Sequence, residues 1–301
     1  MKNRILLFIV ATLIVSPLIG QNKILFMTDM PRNEQPQIIW LQDQGFDVTI
    51  DSLSNLNLSS VTTGMWDTIN SYDLVIAGRL ANSSEFDAPD DRYWNALRVP
   101  LIINSAYAAR SSRIKFFNST SIGNIHNLLP YNKAVIAVNP SDAIWSDVTL
   151  TNDSVPFYNS IIDYLNVDMN TVSNNGERVA EIATPGGFVP IITRWTPGTQ
   201  YYDDPDNPDF EGGNITVGHK TYFGIGCDHY NNLDPEASRY LSSFNISDEG
   251  KKVYLAEINR MLALADPPPT TEARLFSLST SVGILSPAFD KDVTSYTLLV
   301  P

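Results

Sequence analysis

The chain contains little cysteine, histidine or positive charge, and each shortage excludes a class of protein. One Cys and three His occur in 301 residues, which excludes an internal disulfide framework and a multi-cysteine zinc site. Its 20 Lys and Arg stand against 33 Asp and Glu, for a formal net charge of −13. Because phosphate contacts need clustered cations, we expect no nucleic acid among its partners. The 43% apolar content is too high for a disordered chain and predicts a folded core.

The one long apolar run lies at the N-terminus, where residues 1–20 resemble a secretory signal. Lys2 and Arg4 precede an apolar stretch over 5–15, and Gly20 offers a small residue for cleavage. The stretch is too short to span a bilayer comfortably. A buried N-terminal strand or helix is the alternative. We expect a secreted or cell-surface protein, with no membrane insertion after the signal is removed.

The body of the chain contains short apolar runs that predict buried strands. Most of them are apolar on both faces, which is typical of strands covered by helices on both sides. These runs are 23–28, 73–78, 99–104, 133–139, 188–194 and 221–226. Residues 46–51 alternate between polar and apolar and predict a strand nearer an edge.

Helix signals lie between these runs. Pro36 and Gly45 are placed to begin and end one helix. Pro156 would open a second helix, with apolar residues on one face over 157–165. Ser247 is placed as the N-cap of a third. Strand and helix segments therefore alternate along the chain. This alternation predicts an α/β domain over 21–265, an open and mostly parallel sheet with helices on both faces.

Residues 266–272 break this pattern, since three consecutive prolines at 267–269 favour an extended linker. Residues 273–301 that follow form short β-type stretches, with Gly283 and Pro287 at the expected turns. They are too few to bury a core. We therefore expect a truncated β-sandwich fragment, the start of a second domain.

This C-terminal segment has a recognisable spacing. It contains Leu275-Phe276-Ser277-Leu278, then Gly283-Ile284-Leu285-Ser286-Pro287-Ala288-Phe289, then Tyr296-Thr297. The Leu-x-x-Leu start, the Gly-x-Leu-x-Pro-x-Phe centre and the Tyr-Thr pair resemble the opening of the bacterial cadherin-like β-sandwich repeat. The resemblance implies a modular, multidomain secreted or surface protein, and it implies no catalytic residue.

The domain over 21–265 is similar to the class I glutamine-amidotransferase-like fold, a flavodoxin-like α/β architecture. The similarity rests on strand order and on the ending Thr221-Tyr222-Phe223-Gly224-Ile225-Gly226, followed by a capped final helix. Working enzymes of that family carry a Cys between glycines at a sharp turn. The corresponding turn here reads Ile103-Asn104-Ser105-Ala106-Tyr107. The resemblance therefore implies the fold without the amidotransferase reaction.

Three residues are candidates for nucleophilic chemistry: Ser105, Cys227 and His229. Ser105 follows a buried strand, where α/β hydrolases present a nucleophile, but it lacks the flanking glycines of their tight turn. Cys227 is the single thiol, and His229 could lie on the same side of an extended segment as a base. In the plainer interpretation, Ser105 is a packing residue and Cys227 a small hydrophobe at a strand end.

Ligands of open α/β sheets bind at the carboxyl ends of the strands. That rule predicts a crevice built from residues that follow strands, namely Asp29, Arg79, Asn104, Ser105, Asn139 and Asp228. Asp29, Asp228 and His229 would form a metal site only if their strand ends converge.

We expect no cofactor, because no glycine follows the first strand to let the backbone cradle a phosphate. The one alternative is Ca²⁺ at a loop rich in oxygen ligands, with Asp203, Asp204, Asp206, Asp209 and Glu211 as the candidate ligands. A solvated acidic loop is the simpler interpretation.

Aromatic residues near predicted loops could stack on sugar rings. They are Trp66, Trp94, Trp145, Trp195, Tyr201 and Tyr202. We therefore expect a non-catalytic module that binds or displays, with an extracellular glycan or cell-surface component as partner. An extracellular hydrolase of esters or polysaccharides that uses the same crevice is the alternative, and a purely structural spacer is a third interpretation.

Overall fold

A computed structural model describes residues 21–52, 63–119, 134–159, 175–184, 187–200, 215–225 and 244–265 of this chain. It also describes the backbone of 122–123, 162–163, 166–167, 227–228, 275–281 and 284–289. The predicted signal at 1–20 and the predicted linker at 266–272 lie outside the described residues.

The described residues form fifteen strands, four α-helices and short 3₁₀ turns. The strands are β1 (Lys23–Met27), β2 (Asp47–Asp51), β3 (Leu74–Ala77), β4 (Leu101–Ile103), β5 (Ile122–Gly123), β6 (Ala134–Ala137), β7 (Ser154–Pro156), β8 (Ile162–Asp163), β9 (Asn166–Val167), β10 (Glu177–Thr184), β11 (Gly187–Trp195), β12 (Lys220–Phe223), β13 (Cys227–Asp228), β14 (Leu275–Ser281) and β15 (Ile284–Phe289). The helices are α1 (Pro31–Asp43), α2 (Thr63–Asn70), α3 (Asp90–Ala96) and α4 (Asp248–Ala263).

Nine of these strands form one mixed sheet, in the order β2-β1-β3-β4-β12-β11-β10-β6-β7. The first five strands are parallel, with Ile24 paired to Leu74 and Leu101 paired to Lys220. The other four strands continue the sheet with antiparallel pairings only. This mixed sheet with its helices is compatible with the predicted α/β class, but the prediction of a mostly parallel sheet is wrong for this second half.

Helices cover both faces of the sheet, as the apolar runs predict. Alternate residues of β1 enter opposite cores: Ile24 and Phe26 pack with α1 and α4, whereas Leu25 and Met27 pack with α2 and α3. All residues of β3 and β4 are buried, because both of their faces meet a helical layer. Strand β6 differs, since only Val135 and Ala137 are buried, and the expected two-sided burial is wrong there.

Two predicted helices begin elsewhere or are absent. Helix α1 starts at Pro31 rather than Pro36, which lies inside it; Gly45 follows its end with φ +92°, as a C-terminal stop requires. No helix follows Pro156 among the described residues of this stretch. Pro156 ends β7, and Ile162 belongs to β8.

Helix α4 is capped as predicted by Ser247, whose Oγ accepts a hydrogen bond from the Gly250 amide at 2.9 Å. The same hydroxyl donates to the carbonyl of Pro156 at 2.9 Å, so it also ties the helix to β7.

We expect Ser247→Ala to lower the free energy of unfolding by about 1–2 kcal/mol, because the variant loses the cap and the tie to β7. Urea unfolding measures the change. Ser247→Thr, which keeps a hydroxyl, is the matched control and should retain most of the stability. Equal stability of the Ala variant and the wild type would contradict the capping role.

Strands β14 and β15 pair antiparallel, which agrees with β-type stretches in the C-terminal segment. Pro287 lies within β15, so its predicted role at a turn is wrong. Among the described residues, no helix combines the length and apolar character needed to cross a membrane.

Candidate functional site

The carboxyl ends of the five parallel strands meet at one edge of the sheet. The chain runs from β1 to its neighbour β2 on one side and then to β3 on the other, so the strand order reverses between β1 and β3. Such a reversal leaves a crevice where ligands of open α/β sheets bind. A pocket of about 190 Å³ opens there, lined by Met30, Arg79, Leu80, the turn 81–83, Ser105 and Tyr107. We call it the switch-point pocket.

Asp29, which follows β1, links the loops around this pocket. Its Oδ1 accepts a hydrogen bond from the Ser52 hydroxyl at 2.9 Å, and its Oδ2 accepts one from the Asn82 amide at 2.7 Å. These bonds join the ends of β1, β2 and β3. Asp29 therefore holds the turn 81–83 in place, and it is not among the lining residues.

Glu34 lies beneath the same turn, in the first turn of α1. Its Oε1 accepts a hydrogen bond from the Leu80 amide at 3.0 Å, and a Cβ at position 78 would collide with its carboxylate. Burial raises the pKa of Glu34 to about 7, although hydrogen bonds from Thr28 and the backbone, and the charge of Arg79, act in the opposite direction. Gly78 is thus required for the close approach of α1 to β3.

Arg79 brings a positive charge to the pocket. Its side chain is 3% exposed, and its guanidinium carbon lies 5.3 Å from the centre of the Tyr107 ring. The guanidinium of Arg110 lies 5.4 Å from the same ring centre. A cation over an aromatic face is held by the ring quadrupole, so Tyr107 orients the group that Arg79 presents.

Asn104 is fully buried and joins elements rather than facing a ligand. Its Oδ1 accepts hydrogen bonds from Gln37 at 3.0 Å and from the Tyr254 hydroxyl at 3.1 Å. Its side-chain amide donates to the carbonyl of Phe223 at 3.0 Å. Asn104 therefore connects β4 to α1, α4 and β12, and it is absent from the pocket lining.

Ser105 is the second buried polar residue of the pocket lining. Its Oγ has no hydrogen-bond partner among the described residues. It does not have the positive φ found at four other non-glycine positions, and residues 106–114 form turns rather than a helix. The strained strand-to-helix elbow that presents a catalytic serine is therefore not the geometry at Ser105.

The histidines do not supply a base to Ser105 within the described residues. His219 precedes β12, whose first residue pairs with Leu101, so it lies at the amino ends of the parallel strands, opposite Ser105. His126 and His229 lie outside the described residues. Cys227 and Asp228 form β13, which pairs with β8, and only their backbone is described.

Asn139 was expected at the pocket edge, and that prediction is wrong. Strand β6 is antiparallel to β10, and the chain of antiparallel pairings through β11 to β12 makes β6 run against the parallel strands. Asn139 follows β6 and so lies at the opposite edge. There its Oδ1 accepts a hydrogen bond from the Ser141 amide at 3.1 Å, as in an Asx turn.

The tryptophans expected to form exposed sugar platforms are core residues. Trp66, Trp94, Trp145 and Trp195 are at most 7% exposed, and Trp195 stacks on Phe116 with ring centres 4.3 Å apart. Tyr201, Tyr202 and the candidate calcium loop at 203–211 lie outside the described residues. In the described part of the chain, no group of three or more His, Cys, Asp and Glu side chains could hold a metal ion.

A buried ionic cluster at the opposite edge of the sheet was not predicted from the sequence. Glu257 of α4 is fully buried and accepts hydrogen bonds from Arg194 at 2.7 Å and Arg260 at 2.7 Å. Thr221 donates to the same carboxylate at 2.7 Å, and Arg194 also binds Asp142 at 2.6 Å. We call these five residues the α4 ionic cluster; they fasten α4 to β11, β12 and the loop after β6.

Burial raises the pKa of Glu257, but hydrogen bonds from Arg260 and Arg194 and their charges outweigh it and lower the pKa below its ordinary value. The cluster lies at the amino ends of the parallel strands, away from the switch-point pocket. Its bidentate geometry is that of a structural clamp.

Comparisons of this chain with protein-family models, with curated proteins and with solved structures find no match.

Proposed function

We propose that this chain is a non-catalytic binding module of a secreted or cell-surface protein, and that a small sugar group of an extracellular glycan occupies the switch-point pocket. The single observation that carries the proposal is the pocket at the point where the strand order reverses, lined by an unpartnered buried hydroxyl. Concave sites with a few placed polar groups among apolar ones are the usual binding sites of such sheets.

The size and lining of the pocket support a small polar ligand. Its volume of about 190 Å³ is below the roughly 300 Å³ at which pockets enclose drug-sized molecules, so it suits one sugar ring rather than a chain. Met30, Leu80 and Tyr107 supply apolar surface, and Ser105 supplies a hydroxyl. Sugars present both kinds of surface.

The absence of catalytic geometry at Ser105 supports binding over hydrolysis. A serine nucleophile needs a base within hydrogen-bond reach, and none of the described residues bonds its Oγ. Asp29 and Asn104 join elements through their hydrogen bonds, and neither is among the residues that line the pocket.

We further propose a glutamine-amidotransferase-like scaffold that displays this pocket beside a cadherin-like repeat. The order of the parallel half of the sheet, β2-β1-β3-β4-β12, supports this scaffold, because it follows the 2-1-3-4-5 order of flavodoxin-like sheets. The β14–β15 hairpin is consistent with the start of a β-sandwich.

We expect the chain to bind a saccharide in a glycan array or by calorimetry, and Ser105→Ala to weaken that binding about threefold to tenfold, as for the loss of one neutral hydrogen bond. Folding should be unaffected, because the hydroxyl has no partner to lose. Thr193→Val is the matched control: Thr193 Oγ1 is also buried without a partner, on β11. No saccharide binding would contradict the proposal.

The alternative, a hydrolase that uses Ser105 with His229, predicts turnover of chromogenic esters or glycosides. Such activity, lost in both Ser105→Ala and His229→Ala, would replace the binding proposal. The binding proposal predicts no turnover by the wild type.

A further inference from the structure

We propose that strand β2 is an interaction surface, and that it pairs with an extended segment of a partner protein whose apolar residues are flanked by Lys or Arg. The proposal concerns the outer edge of the sheet and is independent of the saccharide binding proposed for the switch-point pocket.

Strand β2 has an open edge. It is the first strand of the nine-stranded sheet and pairs only with β1 among the described strands. The Asp47 amide donates to the Asn22 carbonyl at 2.9 Å. Because alternate residues of a strand bond the same neighbour, the amides and carbonyls of Val48 and Ile50 point away from β1. No described residue bonds them there, so this row of backbone groups is a template to which a further strand adds.

A groove beside this edge is suited to apolar side chains. It lies between β2 and α1 and has a volume of about 400 Å³. We call it the edge groove; it is lined among others by Ile38, Ile39, Ile50 and the polar residues Arg32, Gln35 and Gln42. Ile39 and Ile50 are each 45% exposed, so the groove leaves apolar surface in contact with water. A strand paired with β2 would place every second side chain over the groove.

The opposite face of β2 determines the charge of the partner. Asp47 and Asp51 lie on that face, one at each end of the strand, because they alternate with Val48 and Ile50. Among the described residues, no Lys or Arg forms an ion pair with either carboxylate. Residues directly opposite each other on paired strands attract when their charges are opposite and repel when they are alike. A partner strand with Lys or Arg opposite both aspartates therefore fits this edge.

A second copy of this chain fits the edge less well. In-register antiparallel pairing of two β2 strands would place Asp47 of each copy opposite Asp51 of the other, and like charges opposite each other are unfavourable. The formal net charge of −13 also opposes self-association and favours a basic partner. Charged residues commonly protect sheet edges from pairing with their own copies in this way.

The test uses two fluorescent peptides, one with the core Lys-Val-Thr-Val-Lys and one with the core Glu-Val-Thr-Val-Glu. Both place valines opposite Val48 and Ile50 in either chain direction, and they differ only in the charge opposite the aspartates. Fluorescence anisotropy with the full chain at low salt is expected to show that the basic peptide binds about tenfold or more tightly than the acidic one.

A reversal of charge locates the binding site. Asp47→Lys combined with Asp51→Lys should invert the preference, so that the acidic peptide binds more tightly. Asp147→Lys combined with Glu177→Lys is the matched control, because it makes the same change in net charge at two exposed carboxylates that lie on β10 and in the loop after β6. This control should keep the preference for the basic peptide.

Two variants of Ile50 separate strand pairing from a contact of side chains alone. Ile50→Ala removes the apolar side chain from the edge groove, and Ile50→Pro removes in addition the outward amide that a paired strand would bond. Proline is tolerated on an edge strand where the amide faces outward, so both variants should fold, which thermal melting checks. Ile50→Pro is expected to bind the basic peptide about threefold to tenfold more weakly than Ile50→Ala, as for the loss of one backbone hydrogen bond.

Four outcomes would overturn the proposal. They are no binding of either peptide, equal binding of both, an unchanged preference after the reversal of charge at β2, and equal binding by the two Ile50 variants. A dimer of the chain alone that Ile50→Pro dissociates in sedimentation would assign the edge to a second copy instead. Saccharide binding is measured separately, and its presence or absence does not affect these results.

Discussion

Glu257→Ala is expected to lower the free energy of unfolding by about 3–5 kcal/mol, the cost of breaking a buried ion pair by removing one partner. The carboxylate is fully buried and bonds Arg194, Arg260 and Thr221. Without it, the buried Arg194 keeps Asp142 as its one partner of opposite charge among the described residues. Urea unfolding at pH 7 measures the loss.

Two variants make this result specific to the α4 ionic cluster. Glu257→Gln keeps the volume of the side chain and should remain clearly destabilised, because a neutral amide cannot compensate two guanidinium groups. Glu249→Ala breaks an exposed pair with Lys252 on the same helix and should cost less than about 0.5 kcal/mol. A loss below about 1 kcal/mol in Glu257→Ala would show that the cluster does not hold α4 to the sheet.

The stability that the α4 ionic cluster contributes should fall at acid pH. The pKa of Glu257 in the folded state is lowered from 4.5, and that of Asp142 is lowered from 3.8. For a carboxyl with a lowered folded pKa, the stabilisation is present above the ordinary pKa and is lost as the pH falls through the folded value. Acid should therefore weaken the attachment of α4.

Glu34→Gln is expected to stabilise the protein at pH 8 and to remove a loss of stability that the wild type shows between pH 5 and pH 8. The pKa of Glu34 is about 7 in the fold against an ordinary value of 4.5. For a raised carboxyl pKa, the stability is complete below the ordinary value and is lost as the pH rises through the folded one. At about 1.4 kcal/mol per pKa unit, the expected gain for the variant over this range is about 2–3 kcal/mol.

The quantity to measure is the difference between the two proteins in urea unfolding at each pH. Lys220 is also buried, and burial lowers its pKa to about 7, so it adds an opposite slope above pH 7 in both proteins and cancels in the difference. Glu249→Gln, at a partly exposed carboxyl on α4, is the control and should change no slope. Parallel pH profiles for the wild type and Glu34→Gln would show that the buried carboxyl does not titrate in this range.

The strands that were predicted correctly are those whose burial is visible in a short stretch of sequence, as an apolar run or as an alternation of polar and apolar residues. Strands β1, β3 and β4 are buried on both faces, so each appears as a continuous apolar run, and β2 alternates because it lies at the edge. Strand β10, with the sequence ERVAEIAT, mixes charged and small residues and was not predicted. The helix predicted from Pro156 failed because apolar spacing alone does not distinguish a helix from extended segments in tertiary contact.

The site residues also separate into those that the local sequence predicts and those that depend on strand direction or on distant partners. Arg79 and Ser105 follow strands of the parallel half, and both line the pocket. Asn139 follows a strand that runs the other way, and an apolar run carries no information on strand direction. Tyr107, Glu34 and the α4 ionic cluster were not predicted as a site, because their partners are distant in the chain; Arg194 and Glu257 are 63 residues apart.

Amino-acid order alone predicted most of the buried strands, the cap at Ser247 and the residues that follow the strands of the parallel half. Those features depend on short-range patterns of burial and on local hydrogen bonds. The direction of β6, the pocket between β1 and β3 and the partners of each buried charge were decided by the tertiary structure. Strand pairing and charge compensation join residues far apart in the chain, and their energies exist only once the sheet has formed.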